Sequence, residues 1–342
     1  MKKPLAIIWN DVHLKTGNEY EVLQSVKHMI EYACENGIDN LIFAGDLFHS
    51  RQFQRQEVLK TFDYILTILK SSDLKCYLFP GNHDKTDYGS EYSFLDIYRH
   101  HPSVEFNSKL EVIELEGVTI TLLPFFSDDK LVPMIEEAEP TDVLISHFEM
   151  QGSTNLGRVS EKKNITRKML KKFKKTYLGH YHNTHEITKD IIHLPSLRQN
   201  DFGEDDNKGF TVLYDDLSYK IIEGKFRKFK KQIINIDEVT TKDIKALIKQ
   251  FSGSKDAIRF EFIGSESNLK ALDKAMFKGT GIDVKTKFEA KWEFDSDVEP
   301  TVIEEYTADS VREIFKSFCE EKDFDYEVGK EYLEEFLTQE TV

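Results

Sequence analysis

Five short blocks of histidine, acid and amide residues recur along this chain, each directly behind a brief apolar, β-prone run. They are Asp11-Val12-His13, Gly45-Asp46-Leu47-Phe48-His49, Gly81-Asn82-His83-Asp84, Ser146-His147-Phe148 and Gly179-His180-Tyr181-His182. The runs ahead of them, residues 5–10, 41–45, 75–80, 142–146 and 177–179, read as strands. Residues 21–36 and 54–70 read as helices between the first three, with Phe62, Ile65, Leu66 and Leu69 on one face. Strands joined by crossover helices pair in parallel, so an α/β layer structure is predicted. Oxygen and nitrogen ligands then collect at the ends of successive strands, where a site for two metal ions can be built.

Past residue 100 the rhythm changes. Residues 110–115 and 118–123, joined at Glu116-Gly117, read as a hairpin, and 209–214 as a late strand of a first domain spanning 1–225. Residues 230–290 read as a separate small α/β domain in βαβαβ order. Ile233, Ile234 and Ile236 mark its first strand, and Ile258, Phe260 and Phe262 its second; Ile282, Val284 and Phe288 mark the third. Ile244, Leu247, Ile248 and Phe251 mark one helix behind Thr240-Thr241, and Leu269, Leu272 and Met276 another. An acidic linker is expected over 295–306. A helical segment follows over 307–338, with one stripe at Val311, Ile314, Phe315 and Phe318 and a second at Tyr332, Leu333, Phe336 and Leu337. Such short helices are marginal alone and gain stability from packing or from a partner.

Composition sets limits. With 39% hydrophobic and 31% charged residues in 342, a globular protein with a real core is expected. No stretch approaches the roughly 20 apolar residues that span a bilayer. The apolar run from Leu5 to Trp9 is too short for a signal peptide, so a cytoplasmic protein is expected. Cys34, Cys76 and Cys319 are odd in number and far apart, which suits reduced, packed thiols. The net charge of −15 argues against nucleic acid, but its distribution reverses that reading. Residues 289–342 hold 18 acids and 5 bases, a net of −13, and leave the rest near neutral. The near-neutral part holds a basic stretch at 158–175, with nine Lys/Arg against Glu161 alone; lying between two ligand blocks, it is expected to hold phosphates. A second, at 225–231, has five basic residues interleaved with Phe226 and Phe229 and reads equally well as a solvated face.

Hydrolysis of a phosphodiester near neutral pH needs a strong nucleophile and a way to spread charge on the phosphoryl oxygens. Two divalent ions about 3.5–4 Å apart supply both. Asp46 is the natural bridging carboxylate; Asp11, His13 and His182 are assigned to one ion, and Asn82, His147 and His180 to the other. Mixed carboxylate, amide and imidazole ligands suit Mn²⁺, Fe²⁺ or Zn²⁺ better than Ca²⁺. His83 is expected to face the scissile phosphate, steering the attack or protonating the leaving oxygen, with Asp84 orienting its ring. His49 is read as a support behind the ligands or a substrate contact. His28, His100, His101, His185 and His193 are read as ordinary core or surface histidines.

The order Asp-x-His, Gly-Asp, Gly-Asn-His-Asp, His, Gly-His-x-His resembles that of the calcineurin-like metallophosphoesterases. Gly45 to His49, the basic residues Arg51 to Arg55, and Pro195-Ser196 through Asn200-Asp201-Phe202-Gly203-Glu204 to Lys208-Gly209-Phe210 are similar to the SbcD-type nuclease subunits and their phage and eukaryotic relatives. That resemblance implies a layered α-β-β-α sandwich, a small capping domain that binds DNA, and a helical tail that grips an SbcC-type ABC ATPase. It further implies a Mn²⁺-dependent 3′→5′ exonuclease and single-strand endonuclease, acting as a homodimer in break repair and recombination. Metal-binding roles carry over to Asp11, His13, Asp46, Asn82, His147, His180 and His182, the transition-state role to His83 and a supporting role to His49. Lys15 departs from the glycine usual in that family, and Pro195 from the glycine usual before its turn. A phosphatase or cyclic-nucleotide phosphodiesterase on the same fold, or a non-catalytic DNA tether for the ATPase, stay open as alternatives.

Overall fold

Four parallel strands, β1 (Pro4–Trp9), β2 (Asn40–Ala44), β3 (Lys75–Phe79) and β4 (Val104–Phe106), lie side by side in chain order. In this computed structural model residues 2–155, 158–161, 163–288, 308–322, 326–327, 329–330 and 333–334 are described. Helices α1 (Glu19–Glu35) and α2 (Gln56–Ser71) cross between the first three strands. Apolar side chains at Val22, Val26, Met29 and Ala33 give α1 one buried stripe. The helix stops at Asn36-Gly37, where Gly37 takes φ 61°, its N–H meets Cys34 O and the Ile38 N–H meets Ala33 O. At the end of α2 the same closure is made with Asp73 in the left-handed position.

A second sheet is built from the hairpin β5 (Glu111–Leu115) and β6 (Val118–Leu123), then β7 (Val143–Ser146) behind α3 (Asp128–Glu137). A small ribbon, β8 (Thr154–Asn155) and β9 (Arg158–Val159), and the short α4 (Arg167–Leu170) lead to β10 (Lys175–Leu178), β11 (His185–Thr188) and β12 (Ile191–His193). Its order is β11-β12-β10-β7-β6-β5. The chain then returns to the first sheet as β13 (Gly209–Tyr214) and β14 (Tyr219–Glu223), giving β14-β13-β1-β2-β3-β4. Strand β13 runs antiparallel to β1.

Strand alternation explains the layers. Ile7 and Trp9, Leu41 and Phe43, and Cys76 and Leu78 face α1 and α2. Ala6 and Ile8, Ile42 and Ala44, and Tyr77 and Phe79 face the other sheet, where they meet Ile120, Leu122, Val143, Ile145, Tyr177 and Ile192. A third cluster packs Leu123, Leu144 and Leu178 under Leu131, Ile135 and Leu170 of α3 and α4. The result is the expected α-β-β-α sandwich. Strands buried on both faces are read in sequence as continuous apolar runs, and each Leu, Ile or Phe so buried contributes about 1.5–3 kcal/mol.

Beyond β14, β15 (Phe229–Asn235), β16 (Ala257–Gly264) and β17 (Ile282–Phe288) form a three-stranded parallel sheet. Helices α5 (Thr241–Phe251) and α6 (Glu266–Ala271) connect them. Thr240 and Asp243 close a capping box at the start of α5. The single helix expected through Leu272 and Met276 is instead broken. Asp273 accepts from the Ala275 N–H, and the chain restarts as a 3₁₀ turn at Lys274–Phe277. Ile234, Ile258, Phe260, Phe262 and Ile282 pack with Ile244 and Leu269 on one face. The other face carries the pairs Arg259–Asp283 and Lys231–Glu261.

The chain divides into residues Met1–Glu289 and Ala290–Val342. In the second unit α7 (Ala308–Lys322) carries Phe315, whose ring stands 5.8 Å from that of Tyr326. Arg312 meets the Glu334 carboxylate through two bonds of 2.7 Å. Ile314 and Phe318 are exposed. The expected linker at 295–306 and the stripe residues Tyr332, Phe336 and Leu337 lie outside the described residues. Among the described residues no helix is long and apolar enough to cross a membrane.

Candidate metal centre

Every ligand block starts within a residue or two of a strand end. Strands β1, β2 and β3 deliver Asp11, Asp46 and Asn82 from one sheet; β7 and β10 deliver His147 and His180 from the other. The first two loops run side by side, with Asp11 N–H on Gly45 O, Val12 N–H on Asp46 O and Leu14 N–H on Leu47 O. Bare backbone lets the two sheets close on each other. A Cβ on Gly45 would lie 2.6 Å from His147 Nδ1, and one on Gly179 2.7 Å from both Ala44 O and His147 Nδ1. A methyl group at either point displaces the histidine.

All seven sequence-predicted ligand residues converge. Asp11, His13, Asp46, Asn82 and His147 are buried, and His180 and His182 are half-buried. Asp46 Oδ2 lies 3.3 Å from His147 Nε2 and 3.6 Å from His13 Nε2, so one carboxylate oxygen faces both halves of the cluster. Asn82 Oδ1 lies 3.1 Å from His147 Nε2 and 3.0 Å from His180 Nδ1. His13 Nε2 and His182 Nε2 are 3.0 Å apart.

Proton bookkeeping shows what this packing lacks. His147 Nδ1 donates to Ala44 O at 2.8 Å, which turns the Nε2 lone pair toward the Asn82 and Asp46 oxygens. His182 Nδ1 donates to Glu204 Oε1 at 2.5 Å, which turns its Nε2 lone pair toward His13. Asp11 Oδ1 is buried without a hydrogen-bond partner, 3.8–3.9 Å from the Nε2 atoms of His13, His147 and His182. A set of acceptors aimed at one another is repulsive unless positive charge lies between them. Three groups have ligand atoms within 4.8 Å of each other: Asp11, His13 and His182; His13, Asp46 and His83; and Asp11, Asp46 and His147. The donor set fits divalent cations, with Asp11 and Asp46 each common to two of the groups. Backbone strain marks the same places: of seven non-glycine residues with positive φ among the described residues, four are Asp11 (52°), His13 (49°), Asp46 (61°) and His180 (85°). Each such residue costs on the order of 1–3 kcal/mol, which surrounding contacts must offset.

In the metal-free protein one proton fills part of the gap. Burial opposes charge on Asp46 and His147 alike, yet each holds the other ionised. Asp46 is driven far below the usual carboxylate range, and His147 is pushed up to about 9 by Asp46 and Asp11. Burial and the His147 charge push His180 down to about 3, and burial holds His13 well below the ordinary imidazole value. The sign of the pH dependence follows. A raised histidine contributes stability that is complete below pH 6.5 and is lost as pH rises through about 9. The chelated protein is therefore expected to lose Tm across that window. A cation needs the same lone pair, so Mn²⁺ affinity should rise about tenfold per pH unit below that value. Thermal shift against Mn²⁺ concentration at pH 7, 8 and 9 measures both, and a flat response contradicts the proton at His147.

His83 stands over the cluster, its ring 4.6 Å from that of His13. Its backbone N–H donates to Asp46 Oδ1 at 2.7 Å. Its Nδ1 donates to His49 O at 2.7 Å, so Nε2 is the free acceptor and takes an Arg51 N–H at 2.8 Å. The His49 ring lies 5.7 Å from His13 and 6.1 Å from His83, at the rim. Asp84 requires a correction: it does not orient the His83 ring. Its buried carboxylate accepts the backbone N–H groups of Asp46, Leu47, Phe48 and Gly81, at 2.9–3.3 Å, and so locks the second and third loops together. Asp84→Ala leaves four donors without a partner and is expected to cost about 3 kcal/mol or more. A loss below 1 kcal/mol by urea denaturation would contradict that role.

Three contributors carried no role in the sequence. Glu204 holds His182, Asn200 Nδ2 donates to Asp11 O at 2.9 Å, and buried Lys208 donates to His182 O at 2.7 Å. The only sequence signal for them was the family likeness of residues 200–208. Within the stretch at 158–175, expected to hold phosphates, four of the nine cations are engaged inside the protein. Lys163 pairs with Glu149, Lys174 with Asp142 and Lys175 with Asp190, while Lys172 caps the carbonyls of Glu136 and Ala138. In the second stretch Arg227, Lys228, Lys230 and Lys231 likewise meet carboxylates. His193 lies outside the cluster, bonded to Gly179 O and Ser153 Oγ.

The profile of the calcineurin-like phosphoesterases matches residues 6–184. This chain belongs to the calcineurin-like phosphoesterase family. A relative named "Putative phosphoesterase 244L", from Invertebrate iridescent virus 6, is 21% identical over 280 residues, which is 77% of this phosphoesterase and 95% of the relative. Among solved structures, the calcineurin-like phosphoesterase YfkN from Bacillus subtilis is 14% identical, over 66% of this chain and 90% of its own, with a TM-score of 0.39. A novel archaeal phosphodiesterase is 11% identical, over 65% of this chain and 99% of its own, with a TM-score of 0.33. Metal-assisted phosphoester hydrolysis is the chemistry of the family, and the residues that could hold the metals are those clustered at the strand ends.

Proposed function

We propose that this phosphoesterase is a Mn²⁺-dependent DNA nuclease of the SbcD type, a 3′→5′ exonuclease and single-strand endonuclease serving double-strand break repair and recombination. The observation that carries this reading is the mouth of the cleft. His83 lies there among Lys15, Arg51 and His49, in a cavity of about 290 Å³ that His13, Asp46, Asn82, His180 and His182 also line. A rim with Lys15 and Arg51 against the single acid Asp201, over a metal-fitting floor, suits a polyanionic chain lying across the site. Asp11, His13, Asp46 and His182 would hold one cation, and Asp46, Asn82, His147 and His180 the other. Bound there, the pair would lower the pKa of the attacking water and spread charge on the phosphoryl oxygens. His83 would meet the phosphate, its tautomer fixed by the His49 carbonyl, and Glu204 would hold the His182 ring.

The test is turnover of labelled single-stranded and duplex DNA with Mn²⁺, beside a phosphopeptide and a cyclic nucleotide. DNA cleavage supports the nuclease. Fast turnover of either small substrate with inert DNA supports the phosphatase or phosphodiesterase reading. A convergent ligand set argues against a non-catalytic tether, and purified protein that binds no Mn²⁺ at millimolar supply would restore that reading.

In the same proposal residues 1–225 are the nuclease domain and pair as a homodimer, and 230–290 cap the DNA. The acidic linker 295–306 leads to a segment, 307–338, that docks on an SbcC-type ATPase. The exposed side chains of Ile314 and Phe318 give that segment an apolar contact. Deleting 300–342 is expected to abolish co-purification with the ATPase and to keep Mn²⁺-dependent cleavage of short single strands. Undiminished co-purification would refute the docking role.

A further inference from the structure

A second cavity, of about 210 Å³, opens beside the metal cleft and shares Lys15 and His49 with it. Its floor is apolar, made by the buried Leu14 and Val58. Phe53 stands in its wall with 58% of its surface exposed, so its ring face is open to a flat apolar group. Arg55 and Lys15 supply the charge, and no carboxylate lines the cavity. The contrast with the basic stretches at 158–175 and 225–231 is informative, because most of those cations meet acids or carbonyls. Among the described residues neither Lys15 nor Arg55 meets a carboxylate. The position of Lys15 is fixed, since the Leu14 N–H meets Leu47 O and the His49 N–H meets Leu14 O, which sets Lys15 against His49.

We infer that this cavity is the subsite for the nucleotide next to the scissile phosphate, with the base stacked on Phe53 and the following phosphate held by Lys15 and Arg55. The inference rests on the nuclease reading and deepens it. A free base has two apolar faces and a polyanionic tether, and the cavity offers an aromatic wall, a greasy floor and two unpaired cations. Such stacking tolerates any sequence, because every base has a π-face. His49 forms the shared wall, and burial together with the Lys15 charge lowers its pKa.

The experiment compares a short single-stranded oligonucleotide, the same strand with an abasic site flanking the cleaved phosphate, and bis(p-nitrophenyl) phosphate, all with Mn²⁺. For the wild type the abasic strand is expected to show a KM about tenfold higher than the intact one. In Phe53→Ala the two strands should become equivalent, and Phe53→Trp should restore the difference. Arg55→Ala should lower kcat/KM for DNA relative to that for bis(p-nitrophenyl) phosphate. A wild type that cuts both strands with equal KM, or a Phe53→Ala variant that still distinguishes them, overturns the subsite and leaves the nuclease standing. A wild type that hydrolyses bis(p-nitrophenyl) phosphate but never DNA overturns the nuclease reading, and the subsite with it.

Discussion

Asp46→Asn is expected to remove at least about a thousandfold of the Mn²⁺-dependent hydrolysis, the scale seen when a group that acts as part of a unit is lost. The choice of asparagine is deliberate. Asp46 sits at φ 61°, a left-handed conformation that asparagine tolerates and alanine resists, so the backbone should hold its shape. One carboxylate oxygen accepts the His83 N–H at 2.7 Å, and an amide oxygen can keep that bond. The other faces both His147 and His13, and there an amide brings no charge. Two cations held there as proposed would both lose a common anion. Metal content should therefore fall together with activity, from two ions per chain to one or none by elemental analysis. The metal-free variant should unfold no earlier than the metal-free wild type below pH 6.5 by more than the loss of the Asp46–His147 pair explains. Full activity with two bound ions would remove Asp46 from the bridging position.

Much of this site was legible because its chemistry is local in sequence. Each candidate ligand follows an apolar run directly, and a buried parallel strand must end where its block begins. That logic placed Asp11, Asp46, Asn82, His147 and His180 at strand ends, and β1, β2 and β3 form within a residue or two of the expected spans. What escaped reading depends on contacts between distant segments. Asp84 follows His83 directly, but its carboxylate turns the other way, into a nest of N–H groups that exists only once two loops are folded together. Glu204 meets His182 across 22 residues that include β11 and β12, so no spacing rule reaches it. The lysines at 158–175 looked unpaired because their acids, Glu149, Asp142 and Asp190, belong to other elements of the fold. The break between α6 and the 3₁₀ turn turned on one side-chain bond from Asp273, which an apolar period cannot register.

The strained residues connect fold to function. Asp11, His13, Asp46 and His180 are held in a conformation that each would avoid in an isolated peptide. The offsetting contacts are named ones: Asn200 on the Asp11 carbonyl, Asp84 on the Asp46 N–H, and Asp11 Oδ2 on the His180 N–H at 3.1 Å. The scaffold therefore fixes the ligand atoms before any cation arrives, and the repulsion among them is stored until it does. A centre so arranged gains stability on metal binding, because a cation binds the folded arrangement and neutralises its facing acceptors.

His83→Ala is expected to lower kcat by about 10²–10⁴-fold with metal content unchanged. The backbone N–H that steadies Asp46 survives the substitution, and the side chain is tied elsewhere, through Nδ1 to the His49 carbonyl and through Nε2 to Arg51. The leaving group decides what the ring does. DNA releases an alkoxide, which needs a proton; bis(p-nitrophenyl) phosphate releases a stable phenolate, which does not. If His83 takes up a proton from solvent at Nε2 and passes it to the leaving oxygen, the loss should be at least tenfold greater for DNA than for the aryl ester. Arg51 makes the step conditional, since its N–H occupies Nε2 until the guanidinium finds a phosphate to hold. Arg51→Ala should therefore raise KM for DNA while leaving the preference between leaving groups in place. Equal losses on both substrates in His83→Ala would limit the ring to stabilising phosphoryl charge, and a fall in bound metal would make it a ligand instead.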